Sequence, residues 1–124
     1  MGRRVKMSAA QVSVFAAMNE SDAASAAWDM LPIKARASIW GDEIYFSTPI
    51  EHAGDPGASD VVPLGTVGYW PPGKAICLFF GPTPVSKGEE PRGASAITVI
   101  GRIEGDCKVL KSVPSGAAIT IERA

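Results

Sequence analysis

Residues Gly68–Pro84 read GYWPPGKAICLFFGPTP, two apolar, aromatic-bearing arms around Pro71-Pro72-Gly73-Lys74. Proline presets its own φ and glycine takes positive φ without a steric cost. The tetrapeptide therefore predicts a type II turn with Pro72 and Gly73 at its centre. The arms are then strands of a hairpin or a wide loop. The Trp70–Pro71 bond is open to cis or trans, with trans the usual form. AICLFF has no polar alternate, which is the pattern of a strand covered on both faces. Most aromatics of this stretch are expected in the core. Tyr69 and Trp70 border the turn, where large amphipathic rings are often half exposed, and they are the better binding candidates.

On either side of this stretch, two-residue alternation dominates. Val5 and Met7 oppose Arg4 and Lys6; Val12, Val14 and Ala16 oppose Gln11 and Ser13; Ile119 and Ile121 oppose Thr120 and Glu122. In ITVIGRI, Ile97, Val99 and Ile103 are expected on one face, with Thr98 and Arg102 opposite. Such alternation marks half-buried strands. ARASIW, DEIYFS, TVGYW and AICLFFG complete eight strands. One segment differs. SDAASAAWDMLP places Ala23, Ala26, Ala27, Met30 and Leu31 at helical spacing, with Ser21 as N-cap and Pro32 as stop. KVLKSV, before Pro114, predicts a second short helical turn. About eight strands with one or two helices in a single domain, residues 1–124, predict a mainly β closed antiparallel barrel with capping helices. A two-sheet sandwich is the competing arrangement.

Composition narrows the function classes. Hydrophobic residues make up 46% and charged residues 20%, an ordinary globular balance. The net charge of −1 lacks the basic excess of a general nucleic-acid binder. No apolar run reaches the length of a membrane span, and the N-terminus lacks the apolar core of a signal peptide. The expectation is a soluble, cytoplasmic protein without nucleic-acid or membrane partners. Cys77 and Cys107 belong to no CxxC, and Cys77 within AICLFF reads as a buried reduced thiol.

GYWPPGKAICLFFGPTP, WGDEIYFSTP and ITVIGRIEGDCKVLKSV together resemble a family of short prokaryotic cyclophilin-like proteins of unassigned activity. The resemblance runs from about Arg3 to Ile121. It implies a cyclophilin-like, eight-stranded closed β-barrel capped by two helices. A more distant similarity links LFFG, Leu78–Gly81, and VIGRIEGDCKVLKSV to the cyclophilin peptidyl-prolyl isomerases. By that match, Phe80 stands where their pocket phenylalanine stands. The departures bear on activity. The isomerases carry F-H-R with a catalytic arginine, whereas SIWGDEIYF, Ser38–Phe46, contains neither His nor Arg, and Leu78 replaces a glutamine. Arg36, Lys74 or Arg92 would have to supply the missing cation at the cleft.

Among polar groups, Glu43 and Tyr45 share one strand face, with Ile44 and Phe46 on the other. A carboxylate and a phenol beside Tyr69 and Trp70 suit a small polar or cationic ligand; the alternative is a solvated strand face. His52 is the lone histidine, with Glu51 and Asp55 nearby. One histidine in a Gly-rich loop does not make a metal site, so no metal is expected. GTVGYW and GEEPRG lack the spacing of phosphate loops, and no cofactor is expected. The expected function is a peptide- or small-molecule-binding barrel using Glu43, Tyr45, Tyr69, Trp70 and Phe80. A divergent prolyl isomerase acting on proline-containing peptides is the second reading, and homodimer assembly the third.

Overall fold

The alternating segments pair as antiparallel strands in the computed structural model, which describes residues 2–124; Met1 lies outside the described residues. In chain order these are β1 (Arg3–Ala9), β2 (Val12–Met18), α1 (Asp22–Met30), β3 (Ile33–Arg36), β4 (Ser38–Ile39), β5 (Glu43–Ser47), β6 (Ser59–Val61), β7 (Thr66–Trp70), β8 (Ala75–Phe79), β9 (Arg92–Ile103) and β10 (Ala118–Arg123). Two 3₁₀ turns, Pro71–Gly73 and Cys107–Ser112, complete the elements. The second is the short helical turn expected from KVLKSV. Helix α1 starts where expected: the Ser21 Oγ accepts the Ala24 N–H at 3.2 Å. Ala23, Ala24 and Ala27 are buried, whereas Met30 is exposed.

The sheet runs β3-β10-β1-β2-β9-β7-β8-β5-β4, with β6 on β9. The expected eight-stranded closed barrel is therefore corrected: among the described residues there are ten strands, and their hydrogen-bonded path does not close. ARASIW divides at Ala37, whose N–H donates to Ala117 O at 2.8 Å instead of continuing one ladder. Its halves, β3 and β4, become the two ends of the sheet, one residue apart in the chain. Two polar, Gly-rich stretches, residues 51–60 and 82–93, have the composition of loops, yet Ser59 and Asp60 enter the additional strand β6, and Arg92 and Gly93 begin β9.

The register of β5, β7 and β8 divides the core into two layers. Ile44 pairs with Leu78, Phe46 with Ile76, and Tyr69 with Ile76, all on the inner face. Glu43 pairs with Phe79 and Tyr45 with Cys77, on the outer face. There a smaller apolar cluster of Val62, Ala75, Cys77, Phe79 and Ile97 forms, with Trp70 packed on it. This explains the unbroken apolar run of AICLFF: β8 is buried along its whole length because Ile97 of β9, Val62 and Trp70 pack on its outer face.

Two local expectations change. Val67 pairs with Gly101 but Gly68 with Val99, so Ile100 is an extra residue in a β-bulge. The bulge reverses the alternation. Ile97 joins the outer cluster, Ile100 and Ile103 the inner one, and Val99 is exposed. In the Pro71–Lys74 turn the chain is 3₁₀, and Lys74, not Gly73, takes positive φ, at 49°. Gly73 serves a different need: a Cβ there would stand 2.9 Å from Cε3 and Cζ3 of Trp70. Trp70–Pro71 is trans, since the one cis peptide among the described residues is Leu31–Pro32. No helix among the described residues is long and apolar enough to cross a membrane.

Candidate functional site

The outer face of β5 carries Glu43 and Tyr45 into a cavity of about 150 Å³, walled also by Trp40, Trp70, Cys77, Ala94 and Ile97. Local sequence explains each placement. Between β4 and β5, Trp40 and Glu43 exchange both backbone bonds, Trp40 N–H to Glu43 O at 2.9 Å and Glu43 N–H to Trp40 O at 3.2 Å. Gly41 and Asp42 are thus the two residues of a tight hairpin, with Gly41 at φ 60°. A Cβ on Gly41 would stand 2.8 Å from Thr83 Cα, so the turn also lies close against the Pro82–Pro84 segment. Trp70 enters from the end of β7, and its Nε1–H donates to Ser95 Oγ at 2.7 Å. This bond ties the indole to the front of β9, which supplies Ala94 and Ile97.

Glu43 dominates the electrostatics. It is 5% exposed, and its Oε1 has no hydrogen-bond partner. Burial raises its carboxyl to about 7, against a hydrogen bond with Cys77 that works in the lowering direction. Burial, and then the neighbouring Glu43, push the Cys77 thiol well above its usual value. A buried carboxyl with an unpaired oxygen is costly to a fold, which makes Glu43 a candidate functional group of this cavity.

Of the five residues expected at a site, the fold brings together Glu43, Tyr45 and Trp70. It turns Tyr69 and Phe80 away. Tyr69 is 1% exposed on the inner face, where its hydroxyl donates to Ile50 O at 2.7 Å. Phe80 is buried in the same inner cluster. Adjacent strand residues point to opposite faces, so Tyr69 and Trp70 cannot both line one pocket. Trp40, Cys77, Ala94 and Ile97 are the additions. Trp40 was within reach of sequence reasoning, since W-G-D-E is a hairpin turn that sets Trp40 opposite Glu43. Ala94 and Ile97 carried no such signal.

The cations a divergent isomerase would need are engaged elsewhere. Lys74 pairs with Glu51 at 2.7 Å, Arg92 with Asp60 at 2.8 Å and Glu90 at 3.2 Å, and Arg36 donates to Gly116 O at 3.0 Å. Lys108 does approach Phe80, but its ammonium donates to the backbone carbonyl at 3.1 Å while the ring stays buried. The His52 Nδ1 accepts the Gly54 N–H at 2.9 Å. Among the described residues no group of three or more His, Cys, Asp or Glu side chains is placed to hold a metal.

Comparison with known proteins adds three findings. The profile of a family described as cyclophilin-like matches residues 3–122. The solution structure of the hypothetical protein AF2241 from Archaeoglobus fulgidus is 42% identical, with a TM-score of 0.83, over 99% of this chain and 95% of that one. The structure of McbB in complex with tryptophan superposes with a TM-score of 0.70 at 10% identity, a likeness of fold alone. That match takes in 96% of this chain and 44% of McbB. No curated protein matches the sequence.

Proposed function

We propose that this chain, which belongs to the cyclophilin-like family, is a binding protein that takes a small molecule into the cavity between Trp40, Tyr45 and Trp70. The observation that carries the reading is the buried Glu43 carboxyl, its Oε1 unpartnered, in the lining of an aromatic-walled cavity. The aromatic and apolar walls supply contact area, and the single carboxyl fixes orientation. Prolyl isomerisation asks for a donor or cation at the twisting amide. The lining here offers a carboxyl and no Lys or Arg, which favours binding over isomerase activity. We read the protein as cytoplasmic, supported by two buried cysteines that remain free thiols.

An NMR titration with a small-molecule fragment set and a short Ala-Pro peptide series tests the reading. The expected result is saturable shifts at the Trp40 and Trp70 indoles and at the Cys77 amide, with no cis/trans exchange peaks. Exchange peaks with the peptides would overturn it in favour of isomerase activity. Shifts confined to other surfaces, or no response, would overturn the cavity as the site.

A further inference from the structure

We propose that the occupant of this cavity is a small organic ammonium ion that keeps at least one N–H, its charge held by the Glu43 carboxylate and its alkyl part by the rings of Trp40, Tyr45 and Trp70. This inference rests on the cavity reading above and adds the chemical class of the ligand.

Three observations converge on it. The first is the set of electron-rich side chains. Two indoles and a phenol surround the cavity, and the negative faces of such rings attract cations, most strongly where water is excluded. The second is the lone acceptor. The Glu43 carboxyl lines the cavity and its Oε1 has no donor from the protein, so the carboxyl has acceptor capacity left for a ligand N–H. A quaternary ammonium ion offers the carboxyl no N–H; a primary ammonium ion offers three. The third is the absence of any countercharge in the lining, which has no Lys, Arg or His. The cation-bearing side chain nearest in sequence to a lining residue, Arg92, two positions before Ala94, is held by Asp60 and Glu90, and Lys74 is held at Glu51. An anionic ligand would meet no positive partner, and a cation meets one carboxylate and no rival.

The groups facing Glu43 make the pH dependence specific. From β8 it meets the Cys77 thiol, and from its own strand the Tyr45 phenol. Trp40 of the hairpin turn, Trp70 of β7, and Ala94 and Ile97 of β9 bring nothing titratable. Asp42 lies against Gly81, with Lys111 at 3.8 Å. The Cys77 thiol is held protonated, so Glu43 is the group that titrates near neutrality. An ammonium ligand binds the ionised carboxylate, and its affinity rises with pH. A carboxylic-acid ligand sharing a proton with neutral Glu43 would show the opposite slope.

The probe is butylammonium chloride, which stays protonated across the range, titrated by NMR at pH 6 and pH 8. Tetramethylammonium, butyrate and butanamide are the comparison ligands. The expected result is saturable shifts at the Trp40 and Trp70 indole N–H signals. Affinity should be about tenfold higher at pH 8 than at pH 6, as a carboxyl titrating near 7 requires. Tetramethylammonium should bind more weakly, and Glu43→Gln should lose at least tenfold for butylammonium. The pH series on the unaltered chain stands even if Glu43→Gln does not fold. Preference for butyrate or butanamide, or an affinity that falls with pH, overturns the ammonium inference and leaves the cavity as the binding site. No cavity shifts with any of the four ligands overturns both.

Discussion

Ile97 Cγ2 occupies the space that a side chain on Gly68 would need: a Cβ at position 68 would stand 2.3 Å from it. This contact joins the front of β9 to the outer face of β7 and positions one wall of the cavity. The conflict is with the side chain of a packed residue, so it can be relieved only by moving Ile97. Gly68→Ala is expected to destabilise the chain by about 1–3 kcal/mol, the usual cost of overpacking. It should also weaken ligand binding. Urea unfolding of the variant measures the first effect; an unchanged midpoint would show that β9 is not seated on Gly68.

The two shifted carboxyls give stability a peaked pH dependence. The Glu43 carboxyl is raised by burial from 4.5 to about 7, so the folded chain holds its proton more tightly than the unfolded chain. Stability is therefore full below the unfolded value and falls as pH rises from about 4.5 through 7, by about 3 kcal/mol for a shift of this size. Glu43→Gln keeps the shape and removes the charge. Its stability should be flat across that window, and it should exceed the unaltered chain at pH 8. Denaturant midpoints at pH 5 and pH 8 for both chains check the sign and the size.

Glu90 acts in the opposite sense at lower pH. Its carboxylate accepts the N–H groups of Lys87 at 2.7 Å and Gly88 at 2.8 Å, and pairs with Arg92. The backbone bonds lead in holding its carboxyl down at about 2. That contribution is present above the unfolded value and is lost as pH falls from about 4.5 toward 2. Glu90→Gln should speed hydrogen exchange at the Lys87 and Gly88 amides while leaving β1 and β2 protected. Equal protection in the two chains would remove Glu90 as the organiser of this loop.

Trp70 is only partly buried and sits at the edge of the outer cluster, so the fold should tolerate its loss while the cavity should not. Trp70→Ala is expected to retain dispersed NMR signals for the inner core and to lose ligand binding by more than tenfold. Ser95→Ala removes only the bond that fixes the indole and should give a smaller loss. If Trp70→Ala binds ligands as before, the cavity assignment fails.

Neither cysteine should react in the native state. Cys77 and Cys107 are both buried, and burial leads in raising both thiols above their usual value. A thiolate-selective reagent at pH 8 should label neither in the folded chain and both in urea. Rapid native labelling of Cys77 would show that the cavity opens much more widely than its walls allow.

The sequence made most strands legible because their alternation is a direct consequence of having one buried face. β1, β2 and β10 are of this kind. The apolar run of β8 was legible one step less far. It implied a cover on both faces without saying what the cover was, because the front of β9, RGASA, is small and polar and β6 is only three residues long. The bulge at Ile100 was hidden because it arises from pairing with β7, and no local pattern announces a register shift. For the candidate cavity, the shared face of Glu43 and Tyr45 followed from spacing two apart on a strand, and the partial exposure of Trp70 from its place beside a turn. Tyr69 and Phe80 were misplaced because aromatic character alone does not distinguish the two faces of a sheet.

The unclosed path through β3 and β4 bears on edge-to-edge pairing with other chains. Open sheet edges are templates for pairing with other chains. Here the two terminal strands are consecutive in sequence, Ala37 alone lies between them, and β3 comes close to β5. Both end strands are very short, β3 having four residues and β4 two. A neighbouring molecule seeking to add a strand would find little backbone to dock against. Short end strands limit fibril-type growth without a continuous ring of hydrogen bonds.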